Sequence, residues 1–217
     1  MHFLQFVIRP KRFTEFPKFP AAHLIILLFF TYCYGFLIAD PISEMLGSFS
    51  HLVTFKSIDI NRLIAAVIIA PLFEEVTARG FLTVRSKFYW TLPIFLIYGC
   101  ITSYVFSIYF VLFVFSICFL GFVAFSIPKN RKRWIVKIFR RNYLIYFYIS
   151  TLLFSFIHIG NMDDNLTLLT RSLIILTSFV PIAALLGFIR VKYGLWYSII
   201  FHALMNSGTL VLNSILY

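Results

Sequence analysis

The chain has 217 residues, of which 61% are hydrophobic, 20% aromatic and 12% charged, with a formal net charge of +11. Soluble domains are typically about 25% charged, so this composition argues against a soluble protein and favours an integral membrane protein. The basic residues lie between long apolar segments rather than in a module of their own. This argues against nucleic-acid binding and makes them topology signals and contacts for anionic lipid head groups.

Seven apolar segments are each long enough to cross a hydrocarbon core of about 30 Å as a helix. They are 22–39, 61–84, 92–108, 109–127, 143–160, 167–189 and 195–215. The third and fourth segments are interpreted as a hairpin, because basic clusters flank them on both sides and the positive-inside rule places both clusters in the cytoplasm. The sequence therefore predicts an all-α, polytopic transmembrane helical bundle of about seven spans. Six spans with a re-entrant segment are the alternative.

The same charge rule predicts the topology of the chain. Residues 1–21 are predicted to be a basic cytoplasmic N-terminal segment, and residues 22–217 a single integral-membrane helical domain. The first apolar run lacks a small-residue cleavage site, so we interpret it as a retained span rather than a signal peptide. The predicted location is the bacterial inner (plasma) membrane, with the N-terminus in the cytoplasm.

Two adjacent carboxylates, Glu74 and Glu75, lie in the second apolar segment. A carboxylate at the centre of a transmembrane helix costs about 2.5–3.5 kcal/mol even on lenient insertion scales. Glu75 and Arg79 are four residues apart, so they share a helix face and can pair. Glu74 is rotated by about 100° from Glu75 and is left to face a cavity. These two glutamates therefore indicate a function for this helix.

Three further polar residues interrupt the later apolar segments. His158 follows Phe154 by four residues, and His202 and Asn206 are four residues apart. A lone histidine in an apolar helix commonly bonds a neighbouring helix, and an intramembrane asparagine commonly holds helices together. Because polar groups in lipid must find partners, bundle formation is expected to bring these side chains to the two glutamates. Together they have the groups needed to activate water and to stabilise an oxyanion.

At these positions the chain resembles the CPBP intramembrane proteases, a family that includes the type II CAAX prenyl proteases and bacteriocin-processing or immunity-type membrane proteins. Three family motifs are matched in order by Glu74-Glu75-VTA-Arg79, Phe154-SFI-His158 and His202-ALM-Asn206. The resemblance covers about residues 60–215. The chain departs from the family pattern in the long aromatic hairpin and basic segment between the first two motifs, which is expected to reshape substrate access.

The resemblance implies an intramembrane endopeptidase that hydrolyses peptide bonds of a membrane-tethered peptide or protein. In this interpretation Glu74 is the general base, and His158 helps to position and activate a water molecule. His202 and Asn206 would hold the developing oxyanion of the scissile carbonyl. The ion pair on the same helix as the base would orient it. The expected partners are the lipid bilayer and the membrane-tethered substrate.

Glu74, His158 and His202 could also complete a catalytic zinc site with an open fourth position. The sequence lacks the HExxH signature, in which two histidines share one helix with the base. It therefore indicates no certain cofactor; it slightly favours a metal-free glutamate protease and leaves zinc as the alternative.

Two other classes of membrane protein are compatible with intramembrane glutamate and histidine. A non-catalytic immunity or peptide-binding protein on the same scaffold would keep its function without Glu74. A proton-coupled transporter predicts an inverted repeat with polar breaks in matching halves, and the sequence contains no such repeat. Intramembrane proteolysis is therefore the leading interpretation.

Overall fold

A computed structural model of the chain describes residues 3–10, 17, 19–47, 60–79, 82, 137, 141–156, 158–159, 162 and 165–216. Helix α1 is Phe3–Ile8 and α2 is Ala21–Met45. Helix α3 consists of the consecutive segments Ile60–Ile64, Ala65–Ile69 and Ala70–Arg79. Helix α4 is Tyr143–Phe156, α5 is Leu168–Tyr193 and α6 is Leu195–Leu216. The described residues form helices and no strands, which confirms the predicted all-α class.

Among the described residues, three helices are long and apolar enough to cross a membrane: Ala21–Met45, Leu168–Tyr193 and Leu195–Leu212. They coincide with the first, sixth and seventh predicted spans. Helix α4 corresponds to the fifth predicted span but ends at Phe156, so it is shorter than the predicted 143–160. The predicted hairpin 92–127 lies outside the described residues. The number of seven spans therefore stays a prediction.

Three helices contain a π-helical turn at the same distance before a proline. The turns are Gly35–Ala39, Ala65–Ile69 and Ile175–Phe179, and they precede Pro41, Pro71 and Pro181. In each turn the N–H of the residue before the proline donates to the carbonyl five residues back. A proline in a helix lacks an N–H and clashes with the carbonyl four residues earlier. A widened turn accommodates the ring while the helix continues.

Helix α5 is the centre of the described bundle, since its residues from Ala183 to Val191 are all buried. It packs on α4 where Gly187 meets the ring of Phe147; a Cβ at Gly187 would lie 2.8 Å from that ring. Helix α1 contributes Phe6, whose fully buried ring lies edge-on to Phe147 at a centroid distance of 5.1 Å. Part of the predicted basic N-terminal segment is thus packed into the core.

Gly194 connects α5 to α6 and sets their antiparallel packing. Its φ of 112° lies in a region that favours glycine over residues with a Cβ. Its N–H bonds the carbonyl of Arg190 at 3.1 Å, which ends α5 within a single residue. The short turn brings the first turns of α6 against the last turns of α5. The hydroxyl of Ser198 consequently lies 3.1 Å from the carbonyl oxygen of Leu186.

Candidate active site

Glu75 on α3 is the centre of a buried polar cluster. Its side chain is fully buried and forms an ion pair with Arg79, one helical turn later, through Oε1. The pair that the four-residue spacing predicts is thus present. Its Oε2 accepts a hydrogen bond from Ser198 on α6, and its Oε1 lies 3.2 Å from Nδ1 of His202. Three side chains therefore hold one carboxylate inside the bundle, which offsets the cost of burying it.

Arg79 ties three helices together. The side chain is 1% exposed, and its Nη2 donates to the carbonyl of Ala183 on α5 at 3.2 Å. The centre of its guanidinium group lies 3.9 Å from the centre of the Phe154 ring on α4, a cation–π contact. The backbone carbonyl of Arg79 in turn accepts a hydrogen bond from Nε of Arg190 at 3.3 Å. This arginine therefore anchors the end of α3 that carries the two glutamates.

His202 bridges the two carboxylates of the first motif. Its Nδ1 faces Glu75 at 3.2 Å, and its Nε2 lies 3.8 Å from Oε2 of Glu74. The Glu74 side chain is 16% exposed, whereas that of Glu75 is inaccessible. Glu74 is thus the more accessible of the two carboxylates. An imidazole with one nitrogen toward each carboxylate has a defined orientation.

Asn206 lies one turn beyond His202 and contacts the backbone of α3. Its side-chain nitrogen donates to the carbonyl of Ala66 at 2.8 Å. Ala66 lies in a π-helical turn in which Ala70 donates to Ala65 instead, and the next residue, Pro71, has no N–H to offer. The asparagine amide thus supplies a donor to a carbonyl that Pro71 cannot serve. An amide nitrogen carries two protons and this bond uses one, so the other can serve a ligand.

His158 lies just beyond the end of α4, in a short 3₁₀ turn. Its ring stacks on that of Phe179 at a centroid distance of 4.8 Å and lies edge-on to Phe154 at 5.4 Å. Phe154 in turn lies edge-on to His202 at 5.9 Å. The two histidines therefore contact the same phenyl ring. Helix α4 ends at Phe156, and His158 lies in the 3₁₀ turn that follows, whereas His202 lies within α6. The end of α4 at this point lets the two histidines contact the same ring.

Ser198 is the member of this cluster that the sequence analysis missed. It is fully buried and precedes His202 by four residues and Asn206 by eight. Residues at this spacing share one helix face, so its position beside the third motif was the available signal. A serine on an apolar helix is common, however, and often bonds its own helix backbone. Its contact with Glu75 depends on how α3 and α6 pack together.

The described residues contain no group of three His, Cys, Asp or Glu side chains that could hold a metal ion. Glu74 and His202 face each other, but His158 does not complete a three-ligand set with them. Zinc at Glu74, His158 and His202 therefore stays an alternative prediction, and the mechanism proposed for this site uses no metal.

Part of the chain matches a known protein family. Residues 130–208 match the family model described as type II CAAX prenyl endopeptidase Rce1-like. The match includes His158, His202 and Asn206 but begins after the first motif. No match was found among curated proteins or solved structures. The match covers less than half of the chain and supports the resemblance to the CPBP intramembrane proteases at the second and third motifs.

Proposed function

We propose that this chain is an intramembrane endopeptidase that hydrolyses a peptide bond in a membrane-associated peptide or protein. The observation that carries the proposal is the pairing of the accessible Glu74 with His202, whose Nε2 lies 3.8 Å from the Glu74 carboxylate. Both belong to a cluster of ionisable groups buried among apolar helices. Such groups are costly in a membrane protein, and where they occur they usually serve a function. The Rce1-like match supports the same class of reaction.

In the proposed mechanism Glu74 takes a proton from a water molecule, and the resulting hydroxide attacks the carbonyl carbon of the substrate. His158, whose ring lies edge-on to Phe154 at 5.4 Å, helps to position this water. The carbonyl π electrons move onto oxygen and form a tetrahedral intermediate. The oxyanion then re-forms the C=O bond as the C–N bond breaks, and the nitrogen takes the electrons of that bond and the proton from Glu74, which leaves a carboxylic acid, an amine and the ionised Glu74.

His202 and Asn206 are proposed to stabilise the oxyanion of this intermediate. The second amide proton of Asn206 is one donor, and Nε2 of His202 is the other when it carries a proton. Oxyanion donors of this kind are typically worth about 2.7–4 kcal/mol each.

We further propose that the chain lies in a bacterial inner membrane with its N-terminus in the cytoplasm. The basic residues that flank the apolar segments support this orientation. The substrate is proposed to be membrane-tethered, because the cluster lies between helices long and apolar enough to cross a bilayer.

The test is a comparison of peptide termini in membranes of cells that carry the wild type, Glu74→Gln or Glu44→Gln at equal abundance. Glu44 is exposed on α2, so its replacement makes the same charge change away from the cluster. We expect new termini with the wild type and Glu44→Gln, and a loss of about 10²–10⁴-fold with Glu74→Gln. Full activity of Glu74→Gln would refute its role as base.

Two further outcomes discriminate among the alternatives. If Glu74→Gln rescues a deletion phenotype and no termini change, a non-catalytic immunity or peptide-binding role replaces the proposal. We expect cleavage to survive exhaustive chelation, since no step uses a metal. Loss of cleavage that zinc restores would show a metalloprotease instead.

A further inference from the structure

Ser198 lies outside all three family motifs, one helical turn before His202 on α6. Its side chain is fully buried, and its oxygen contacts Oε2 of Glu75 and lies 3.1 Å from the carbonyl oxygen of Leu186. A hydroxyl has one proton and donates to one acceptor at a time. Hydrogen bonds to an ionised acceptor are roughly twice as strong as neutral ones. Ser198 therefore donates to the carboxylate in preference to the carbonyl.

The two oxygens of Glu75 have different partners. Oε2 accepts from Ser198, whereas Oε1 faces Arg79 and Nδ1 of His202. An ionised carboxylate can only accept hydrogen bonds, so the proton between Glu75 and His202 is on Nδ1 of the ring. With Nδ1 held in this way, Nε2 is directed to Glu74, 3.8 Å away. The orientation of the histidine thus depends on the orientation of the carboxylate.

Ser198 and His202 approach this carboxylate from successive turns of the same helix. Because they are four residues apart, they lie on one face of α6 and reach the two oxygens of Glu75 side by side. Without the serine, Oε2 would lose its hydrogen bond while Arg79 and His202 still act on Oε1, and the carboxylate could rotate about its terminal bond. That rotation would move the acceptor away from Nδ1 of His202.

We propose that Ser198 is a positioning residue of the hydrolytic site. By holding Oε2 of Glu75, it fixes the hydrogen bond from Nδ1 of His202 to Oε1 and keeps Nε2 directed to Glu74. This inference rests on the proposed function. Ser198 is inaccessible, so it acts through Glu75 and does not contact the substrate.

The kinetic test compares Ser198→Ala, Ser198→Thr and Ser155→Ala in the full-length protein reconstituted in lipid, with the substrate identified from the terminus comparison. Ser155 is the matched control: it is equally buried, but its hydroxyl bonds the carbonyl of Thr151, on its own helix, at 2.9 Å. We expect Ser198→Ala to lower kcat by about tenfold or more with KM unchanged, the equivalent of one hydrogen bond to a charged group. Ser198→Thr keeps the hydroxyl and should restore most of kcat, and Ser155→Ala should match the wild type.

A spectroscopic test needs no substrate and so separates this inference from the proposed function. In protein labelled with ¹⁵N-histidine, the Nδ1 signal of His202 is assigned by its loss in His202→Gln. We expect this signal to shift in Ser198→Ala and to stay in place in Ser155→Ala. If Ser198→Ala does not fold, Ser198→Cys, which has nearly the same size and a weaker donor, takes its place. An unchanged Nδ1 signal, or an unchanged kcat in an active preparation, would overturn the inference.

Discussion

Replacing Arg79 by methionine removes the cation that neutralises Glu75 inside the bundle. The arginine side chain is 1% exposed and the glutamate 0%. Removing one partner of a buried ion pair typically costs about 3–5 kcal/mol, because the remaining charge is left uncompensated. The guanidinium group also donates to Ala183 and lies over Phe154, and both contacts would be lost. We therefore expect a loss in the upper half of that range, about 4–5 kcal/mol.

This loss is a large share of the roughly 5–15 kcal/mol by which folded domains are stable. It can be measured by reversible unfolding of the purified protein in mixed micelles with increasing SDS. Lys192→Met is the matched control, since Lys192 is a cation whose Nζ lies 5.1 Å from the centre of the Phe188 ring. It is half-buried, so we expect a loss of only about 0.5–1 kcal/mol.

The double variant Glu75→Gln with Arg79→Met separates charge from packing. It removes both charges, while the single carbonyl oxygen of glutamine can still accept a hydrogen bond at one of the two positions that Ser198 and His202 serve on Glu75. We expect it to be more stable than Arg79→Met alone, because no uncompensated charge remains. The reasoning is refuted if Arg79→Met costs less than about 1 kcal/mol, the value typical of an exposed pair. It is equally refuted if the double variant is no more stable than the single one.

Two further predictions concern the glycine and proline that set the helix packing. Gly187→Ala would place a Cβ 2.8 Å from the buried Phe147 ring, so we expect a loss of about 1–3 kcal/mol in thermal or SDS unfolding. Gly35→Ala is the control: nothing lies within 4 Å of the added Cβ, so this change should be neutral or slightly stabilising. Equal losses of stability at Gly35 and Gly187 would contradict the role of close packing at Gly187. Pro71→Ala supplies an N–H that competes with Asn206 for the Ala66 carbonyl, so cleavage should fall by about tenfold, less than the roughly 10²–10³-fold of a lost oxyanion donor. Pro41→Ala changes the equivalent position of α2 and should leave cleavage intact; wild-type cleavage by Pro71→Ala would show that the amide–carbonyl bond is dispensable.

The long apolar helices and the local pairs within them were predictable from the sequence. Hydrophobic length alone indicated the helices that became α2, α5 and α6, because a helix in lipid must satisfy its own backbone. The four-residue spacing of Glu75 and Arg79 was sufficient to predict their ion pair. The same spacing placed His202 and Asn206 on one helix face. These features depend on the geometry of a single helix, which the sequence specifies directly.

The helix ends and π-helical turns were less accessible to sequence reasoning. Proline positions were visible, but whether a helix breaks, kinks or widens at a proline depends on what its neighbours can supply. At Pro71 the neighbour is Asn206, whose amide serves the Ala66 carbonyl. Helix α4 likewise ends at Phe156, earlier than the apolar run predicts, and this places His158 against Phe179.

The sequence by itself determined that polar side chains on three helices must meet inside an apolar bundle, because lipid offers them no other partners. Only the tertiary structure decided how they meet. The single-residue turn at Gly194 and the close approach of Gly187 to Phe147 set the depth and rotation of the helices around α5. That packing places His202 between both glutamates and brings Ser198 to the far oxygen of Glu75. Contacts between helices depend on how far each helix is rotated and how deep it lies, and the residue spacing within one helix specifies neither.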